Sequence, residues 1–189
     1  MRRKTFDVLF ETNTGLSRLG SEHCLWRSGW YFFLSLGMFG GVVSNHLLAH
    51  MSLGVRFGVV LAVVLIVGVC LAMYGFLIHG ILETLGTTSG NPVALICLLG
   101  YTVLPFLVLT PLALLSTRIG YDGILLFALV LFIGLVWMLY LFMRALQVVY
   151  IIDFTRAAAV VFFSLLLLYV ALILPLQLLS KLFYLQFMA

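Results

Sequence analysis

The sequence predicts an all-α fold, a polytopic membrane helix bundle of about five transmembrane helices with a proline-kinked third helix. Of the 189 residues, 65% are apolar and only 8% are charged, whereas a soluble domain is about 45–50% apolar and about 25% charged. So few charged side chains cannot cover this much apolar surface, so the solvent must be lipid. The apolar runs lack two-residue alternation, which favours helices over a membrane barrel.

Five apolar runs have lengths close to the ~20 residues that a helix needs to cross a bilayer. We place the spans at Trp30–Ala49, Val55–Ile81, Val93–Ser116, Gly123–Met143 and Ala157–Leu174. The chain then divides into a short basic N-terminal arm (1–28), a five-helix transmembrane domain (29–175) and an amphipathic interfacial C-terminal segment (176–189).

Prolines interrupt the third span. Pro105 and Pro111 each remove a backbone donor, which frees the carbonyls of Tyr101 and Leu107 and predicts a kinked or broken helix. Asn91 stands directly before Pro92, and a capping side chain followed by proline is typical of a helix start.

The basic residues indicate the orientation in the membrane. With the N-terminus inside, seven lie on the inner side (Arg2, Arg3, Lys4, Arg18, Arg27, Arg144 and Arg156) and three on the outer side (Arg56, Arg118 and Lys181). This excess predicts a cytoplasmic N-terminus. It also accounts for the net charge of +4 without a nucleic-acid partner.

The histidines are the first candidates for chemistry. His46 and His50 have i, i+4 spacing near the outer end of the first span, and a histidine pair can bind one metal ion if a third or fourth ligand joins it. His79 lies near the inner end of the second span, 24 residues after Val55, or about 36 Å along a helix. The three side chains cannot converge within one subunit, which argues against a metal or haem site.

Other candidates are structural. Glu83 follows His79 by four residues, so the two can share a helix face near the membrane surface, for a structural hydrogen bond or a proton relay. Gly37 and Gly41 form a face of small residues that another helix could approach closely. No catalytic constellation is present, because no histidine follows His79 to activate a nucleophile.

Several features together resemble the Yip1 family of small five-span membrane proteins in its bacterial form. They are the His79–Gly80 end of the second span, the glycine-rich turn after it, Gly100–Tyr101 followed by Pro105, the stretch 141–150 and the small residues 156–159. The likeness covers Trp30 to Leu174. It implies five helices, a cytoplasmic N-terminus and, as in eukaryotic members, a non-enzymatic scaffold role in vesicle traffic with Rab GTPases.

The chain departs from those eukaryotic members at its N-terminus. It lacks their long cytoplasmic region and its Asp-Leu-Tyr-Gly-Pro motif. The departure argues against a Rab GTPase partner and points to a bacterial plasma (inner) membrane.

The sequence therefore favours a non-catalytic integral membrane scaffold or adaptor, or an accessory subunit of a larger membrane complex. We expect no enzyme activity and no cofactor beyond lipid, with other membrane protein subunits as partners. One alternative is a transporter or channel component with a site at the broken third helix near Tyr101 and Pro105. Another is a haem-binding subunit of a membrane redox complex.

Overall fold

The protein is a bundle of long helices. A computed structural model describes residues 25–87, 90–119, 122–173, 175 and 177. The helices are α1 (Leu25–Leu47), α2 (Leu53–Thr84), α3 (Pro92–Thr102), α4 (Leu104–Ser116), α5 (Asp122–Tyr150) and α6 (Phe154–Leu168), and a π-helical turn (Tyr169–Ile173) follows α6. No strand occurs in the residues described, and the all-α, polytopic prediction is confirmed.

Within the residues described, four helical segments are long and apolar enough to cross a membrane, which makes this a multi-pass membrane protein. They are Leu53–Thr84, Pro92–Ser116, Gly123–Tyr150 and Phe154–Ala171. The first predicted span, now α1, is not among the four. It has 23 residues, and it buries Phe32, Phe39 and Val42 against the other helices.

The broken third span lies at the centre of the bundle. In its most apolar stretch 72% of the residues are buried inside the protein, against 6% for α2. Its first half, α3, packs on α1, α2 and α5, and its second half, α4, packs on α1 and α5. The span that carries Pro105 and Pro111 is therefore the most buried of the candidate membrane spans.

The break falls at Val103, two residues before the first proline. Pro105 has no N–H to donate to the carbonyl of Tyr101, and the N–H of Val103 donates to that carbonyl instead. Pro105 then lies in the first turn of α4, where a missing donor costs little. In contrast, α4 continues through Pro111 without a break.

The cap predicted at Asn91 is confirmed, since its Oδ1 accepts the N–H of Val93 at 2.9 Å. The threonines of the third span also bond to backbone. Thr102 donates to the carbonyl of Leu99 at 2.8 Å and Thr110 to that of Phe106 at 2.7 Å. These differ from the carbonyls that the prolines were expected to free. Both hydroxyls are buried, so these bonds satisfy polar groups that lipid could not.

Polar contacts between helices are few and specific. The Ser28 hydroxyl of α1 donates to the carbonyl of Cys97 in α3. The hydroxyls of Tyr74 in α2 and Ser164 in α6 lie 2.7 Å apart. Serine and tyrosine often join helices in this way in lipid, where water offers no alternative partner.

Two helix ends lie beyond the bounds expected from the sequence. α1 begins at Leu25, inside the predicted N-terminal arm, and α5 continues to Tyr150 instead of ending near Met143. Arg144 therefore lies within α5, not in a connection. Its guanidinium lies 5.3 Å from the ring centres of both Tyr140 and Phe154, a favourable cation–π arrangement that lets the helix carry a charge near its end.

The last helix begins without a capping side-chain hydrogen bond. Asp153 occupies the N-cap position of α6, but its side chain makes no capping hydrogen bond. Most of the predicted arm (residues 1–24) and most of the predicted C-terminal segment lie outside the described residues, so both assignments stay predictions.

The turn between α5 and α6 contains a strained residue, which gives a first stability prediction. Ile151 has φ of +52°, a conformation that a β-branched side chain rarely adopts, and its side chain is 83% exposed. Ile151→Gly should therefore raise the free energy of unfolding in detergent by about 1 kcal/mol. Ile152→Gly is the control, since Ile152 packs against the core and should lose stability. Equal destabilisation by both changes would contradict the strain.

Candidate functional site

The C-terminal ends of α2 and α5 meet at a histidine–tyrosine contact. Nδ1 of His79 lies 2.8 Å from the hydroxyl oxygen of Tyr150, and the two ring centres are 5.9 Å apart. His79 is half-buried, while Tyr150 is 1% exposed. The contact thus links a residue at the rim of the bundle to one inside it.

The turn between α2 and α3 closes over the same tyrosine. A Cβ added to Gly90 would overlap the ring of Tyr150, so only glycine fits this backbone position. Tyr150 belongs to one cluster of buried side chains together with Leu82 of α2, Leu95 of α3 and Ala157 of α6. Four helices therefore contribute to the cluster that contains Tyr150.

Glu83 shares a face of α2 with His79, as their spacing of four residues predicts. The Glu83 side chain is exposed, and the His79 ring contacts Tyr150. A hydrogen bond or proton relay between His79 and Glu83 stays a prediction. At the same end, the Arg156 side chain of α6 donates to the carbonyl of Leu85 at 3.3 Å. That bond satisfies a carbonyl just past the end of α2 and joins α6 to it.

The second group of candidates, Gly100, Tyr101 and Pro105, surrounds the break of the third span. Gly100 lies against α1 so closely that an added Cβ would overlap the Ser28 side chain and lie 2.8 Å from the Ser28 carbonyl oxygen. Tyr101 is 1% exposed, and its ring centre is 5.5 Å from that of Tyr31. Pro105 is buried as well.

The break in the third span is therefore buried among the helices of the bundle. The residues from Gly100 to Phe106 are all buried, and Tyr101 and Leu104 share a cluster with Leu141 and Ala145 of α5. A transporter site at a broken helix needs backbone that lines a cavity. Here the geometry supports a structural joint, so the transporter alternative gains no observation in its favour.

Gly37 and Gly41 have an open environment. A Cβ on either would meet no atom within 4 Å, so no described helix packs closely on this face. Both glycines instead line a groove of about 580 Å³ between α1, α2 and α4. The predicted helix contact there stays a prediction.

His46 and His50 are not on one continuous helix. His46 is in the last turn of α1, which ends at Leu47, and its side chain lies outside the described ones. His50 lies beyond that end, in the turn before α2, and is exposed. The turn is held by Arg56, whose side chain donates to the carbonyls of Ala49 and Met51. Helical i, i+4 spacing therefore does not apply to the pair.

His50 and His79 lie at opposite ends of the bundle, as the sequence predicts. From Leu53 to His79 the chain is continuous helix, so 26 residues separate the two ends by about 39 Å. Among the residues that the structure describes, no three His, Cys, Asp or Glu side chains come together as a metal site would require.

These features can be compared with known proteins. The family profile of the Yip1 domain matches residues 6–174, which is most of the 189-residue chain. The chain belongs to the Yip1 family. No curated protein and no solved structure gives a significant match.

Yip1 family membership confirms the resemblance seen in the sequence, and the match reaches further towards the N-terminus than the motifs did. The sequence motifs included Tyr150 only as the last residue of a matching stretch. The sequence does not reveal the contact of Tyr150 with His79, because the predicted fourth span ends near Met143, two turns before the observed end of α5. Since α2 and α5 run in the same direction across the bundle, a longer α5 would have placed Tyr150 at the same end as His79.

Proposed function

We propose that this Yip1 family protein is a non-catalytic membrane scaffold or adaptor, or an accessory subunit of a larger membrane complex. The observation that carries the proposal is the exposure of α2. Of its 32 residues, only Val64, Gly75, Ile78 and Leu82 are buried. A helix covered so little by its own chain offers a long surface to neighbouring helices in the bilayer.

The exposed side of α2 contains a regular apolar stripe. Ile66, Val69, Met73 and Phe76 are 61%, 60%, 67% and 55% exposed, and their spacing of three and four residues places them on one helix face. The stripe extends over ten residues, about 15 Å. Such a face suits packing by the helix of another membrane subunit.

The distribution of charge supports a structural role. The described charged side chains of the helices lie near their ends: Arg27, Arg56, Glu83, Arg144 and Arg156. Charged groups that act within transporters and pumps usually lie deep in the membrane. The described contacts of the buried polar groups are bonds to backbone or between helices, which stabilise the bundle.

The same charges support an orientation with the N-terminus in the cytoplasm, and we propose the inner membrane of a bacterial cell as the location. The end of the bundle at which α1 begins contains Arg27, Arg144 and Arg156. The opposite end contains Arg56 and Arg118. Basic residues favour the cytoplasmic side. We propose other integral membrane subunits as partners, in place of Rab GTPases or nucleic acid.

Site-specific photo-crosslinking in intact membranes tests the scaffold proposal. A photoreactive residue at Val69 should crosslink to one discrete membrane protein, and the same protein should co-purify in near-equal amount with the unmodified chain in mild detergent. The control position is Leu125 of α5, which is 78% exposed but lies on another face. A lone monomer in detergent, with Val69 and Leu125 giving the same crosslinks, would refute the proposal.

A further inference from the structure

The open groove along α1 ends at a basic, polar patch. The groove is lined along α1 from Phe33 past Gly37 and Gly41 to Asn45, and at its end by Arg56 of α2. A second depression of about 580 Å³ begins at the same Asn45 and continues past Thr117 to Arg118. Asn45 and Leu114 line both, so the two form one continuous feature, apolar along its length and basic at its end.

The length of the groove matches one leaflet of a bilayer. From Phe33 to Asn45 are 12 helical residues, or about 18 Å. Half of a hydrocarbon core of about 30 Å is about 15 Å. An occupant with its polar end at Asn45 would therefore reach from the membrane surface to about the bilayer midplane, as one lipid acyl chain does.

The guanidinium of Arg56 is held in position at the polar end. Its Nε donates to the carbonyl of Met51 at 2.9 Å, and one terminal nitrogen donates to Oδ1 of Asn45 at 3.0 Å. The other terminal nitrogen donates to the carbonyl of Ala49. Arginine has five N–H donors, so two remain. All three acceptors are uncharged, so these contacts do not neutralise its positive charge.

Arg118 adds a second positive charge beside Asn45, and it is exposed. The described side chains at this end also include exposed His50 and no carboxylate. Asp122 begins α5 nearby, and its side chain is outside the described ones. A fixed arginine with spare donors, next to a second arginine, is suited to a phosphate group.

We propose that this groove binds one phospholipid with a net negative headgroup, in the leaflet opposite the N-terminal end of α1. One acyl chain lies along Gly37 and Gly41, where a glycine at each position leaves room for it. The headgroup phosphate lies between Arg56 and Arg118. A phospholipid uses both the apolar length of the groove and its basic end, whereas a helix of another protein would require only the apolar length. The proposal does not depend on the scaffold role.

Lipid retention by the purified full-length protein tests the proposal. Native mass spectrometry should show one phosphatidylglycerol molecule retained per chain, and phosphatidylcholine of the same acyl composition should be retained at least fivefold more weakly. Arg118→Gln should weaken phosphatidylglycerol binding by about fivefold, since one basic residue near a membrane surface contributes that order of affinity. The control is Arg156→Gln at the opposite end, which should leave binding unchanged.

The acyl-chain half of the site has its own variants. Gly41→Leu should abolish retention of the lipid, because the leucine side chain would fill the groove. Gly80→Leu is the matched control, since Gly80 is also in a helix with no atom within 4 Å of an added Cβ but lies outside the groove. Circular dichroism and gel filtration show whether each variant is folded. Equal retention of the two lipids, or unchanged retention in Gly41→Leu and Arg118→Gln, would overturn the proposal.

Discussion

Replacing Gly100 by alanine is expected to destabilise the protein by about 1–3 kcal/mol, the usual cost of overpacking a filled interior. The added methyl group would overlap the Ser28 side chain and crowd its backbone carbonyl. Backbone cannot rotate away as a flexible side chain can, so α1 itself must move. The movement would also break the bond from the Ser28 hydroxyl to the carbonyl of Cys97. The free energy of unfolding in mixed micelles measures the effect.

Gly80→Ala is the matched control for this change. Gly80 lies in α2, and an added Cβ there meets no atom within 4 Å, so only the intrinsic helix preference changes. Alanine is better than glycine in a helix by about 0.8–1 kcal/mol, and Gly80→Ala should be neutral or stabilising. If Gly100→Ala is as stable as Gly80→Ala, the close approach of α1 and α3 at Gly100 is refuted.

The glycines of this protein show what small-residue patterns in a sequence can and cannot predict. Gly37 and Gly41 have the spacing of a helix-packing face, yet the structure leaves both open. Gly100, singled out through its neighbours Tyr101 and Pro105, is where α3 lies directly against α1. Spacing alone does not say which side of a helix faces the bundle when almost every residue is apolar. Polar bonds such as the one from Ser28 to Cys97 determine which side of a helix faces the bundle, and this bond joins residues 69 positions apart.

The fold could be predicted because lipid restricts a chain so strongly. Backbone groups in hydrocarbon must pair within their own helix, so long apolar runs identify the helices. The break at the third span followed from Pro105, whose missing donor is a local property. The end of α5 was harder to predict, because the charged Arg144 suggests the end of a membrane span. Its guanidinium contacts Tyr140 and Phe154, and this packing, which the sequence does not show, lets α5 continue.

Tyr150→Ala is expected to be the most destabilising single change, at about 3–5 kcal/mol, the range for a large aromatic side chain lost from a packed interior. Tyr150 is among the largest fully buried side chains, and four helices contribute to its cluster. Tyr150→Phe keeps the ring and removes the hydroxyl that contacts His79, so it should cost about 0.6 kcal/mol, the average for such bonds between membrane helices. Tyr169→Ala is the control, because Tyr169 is 43% exposed and should matter little.

Gly90 allows a sharper test of the same packing. Gly90→Ala should destabilise the wild-type protein, since its methyl group would overlap the Tyr150 ring. In the Tyr150→Ala background the ring is absent, so Gly90→Ala should cost much less there. The two changes must therefore be strongly non-additive, as residues in direct contact are. Additive effects in the free energy of unfolding would mean that Gly90 does not pack on Tyr150, and this contact would then not hold the start of α3 against the end of α5.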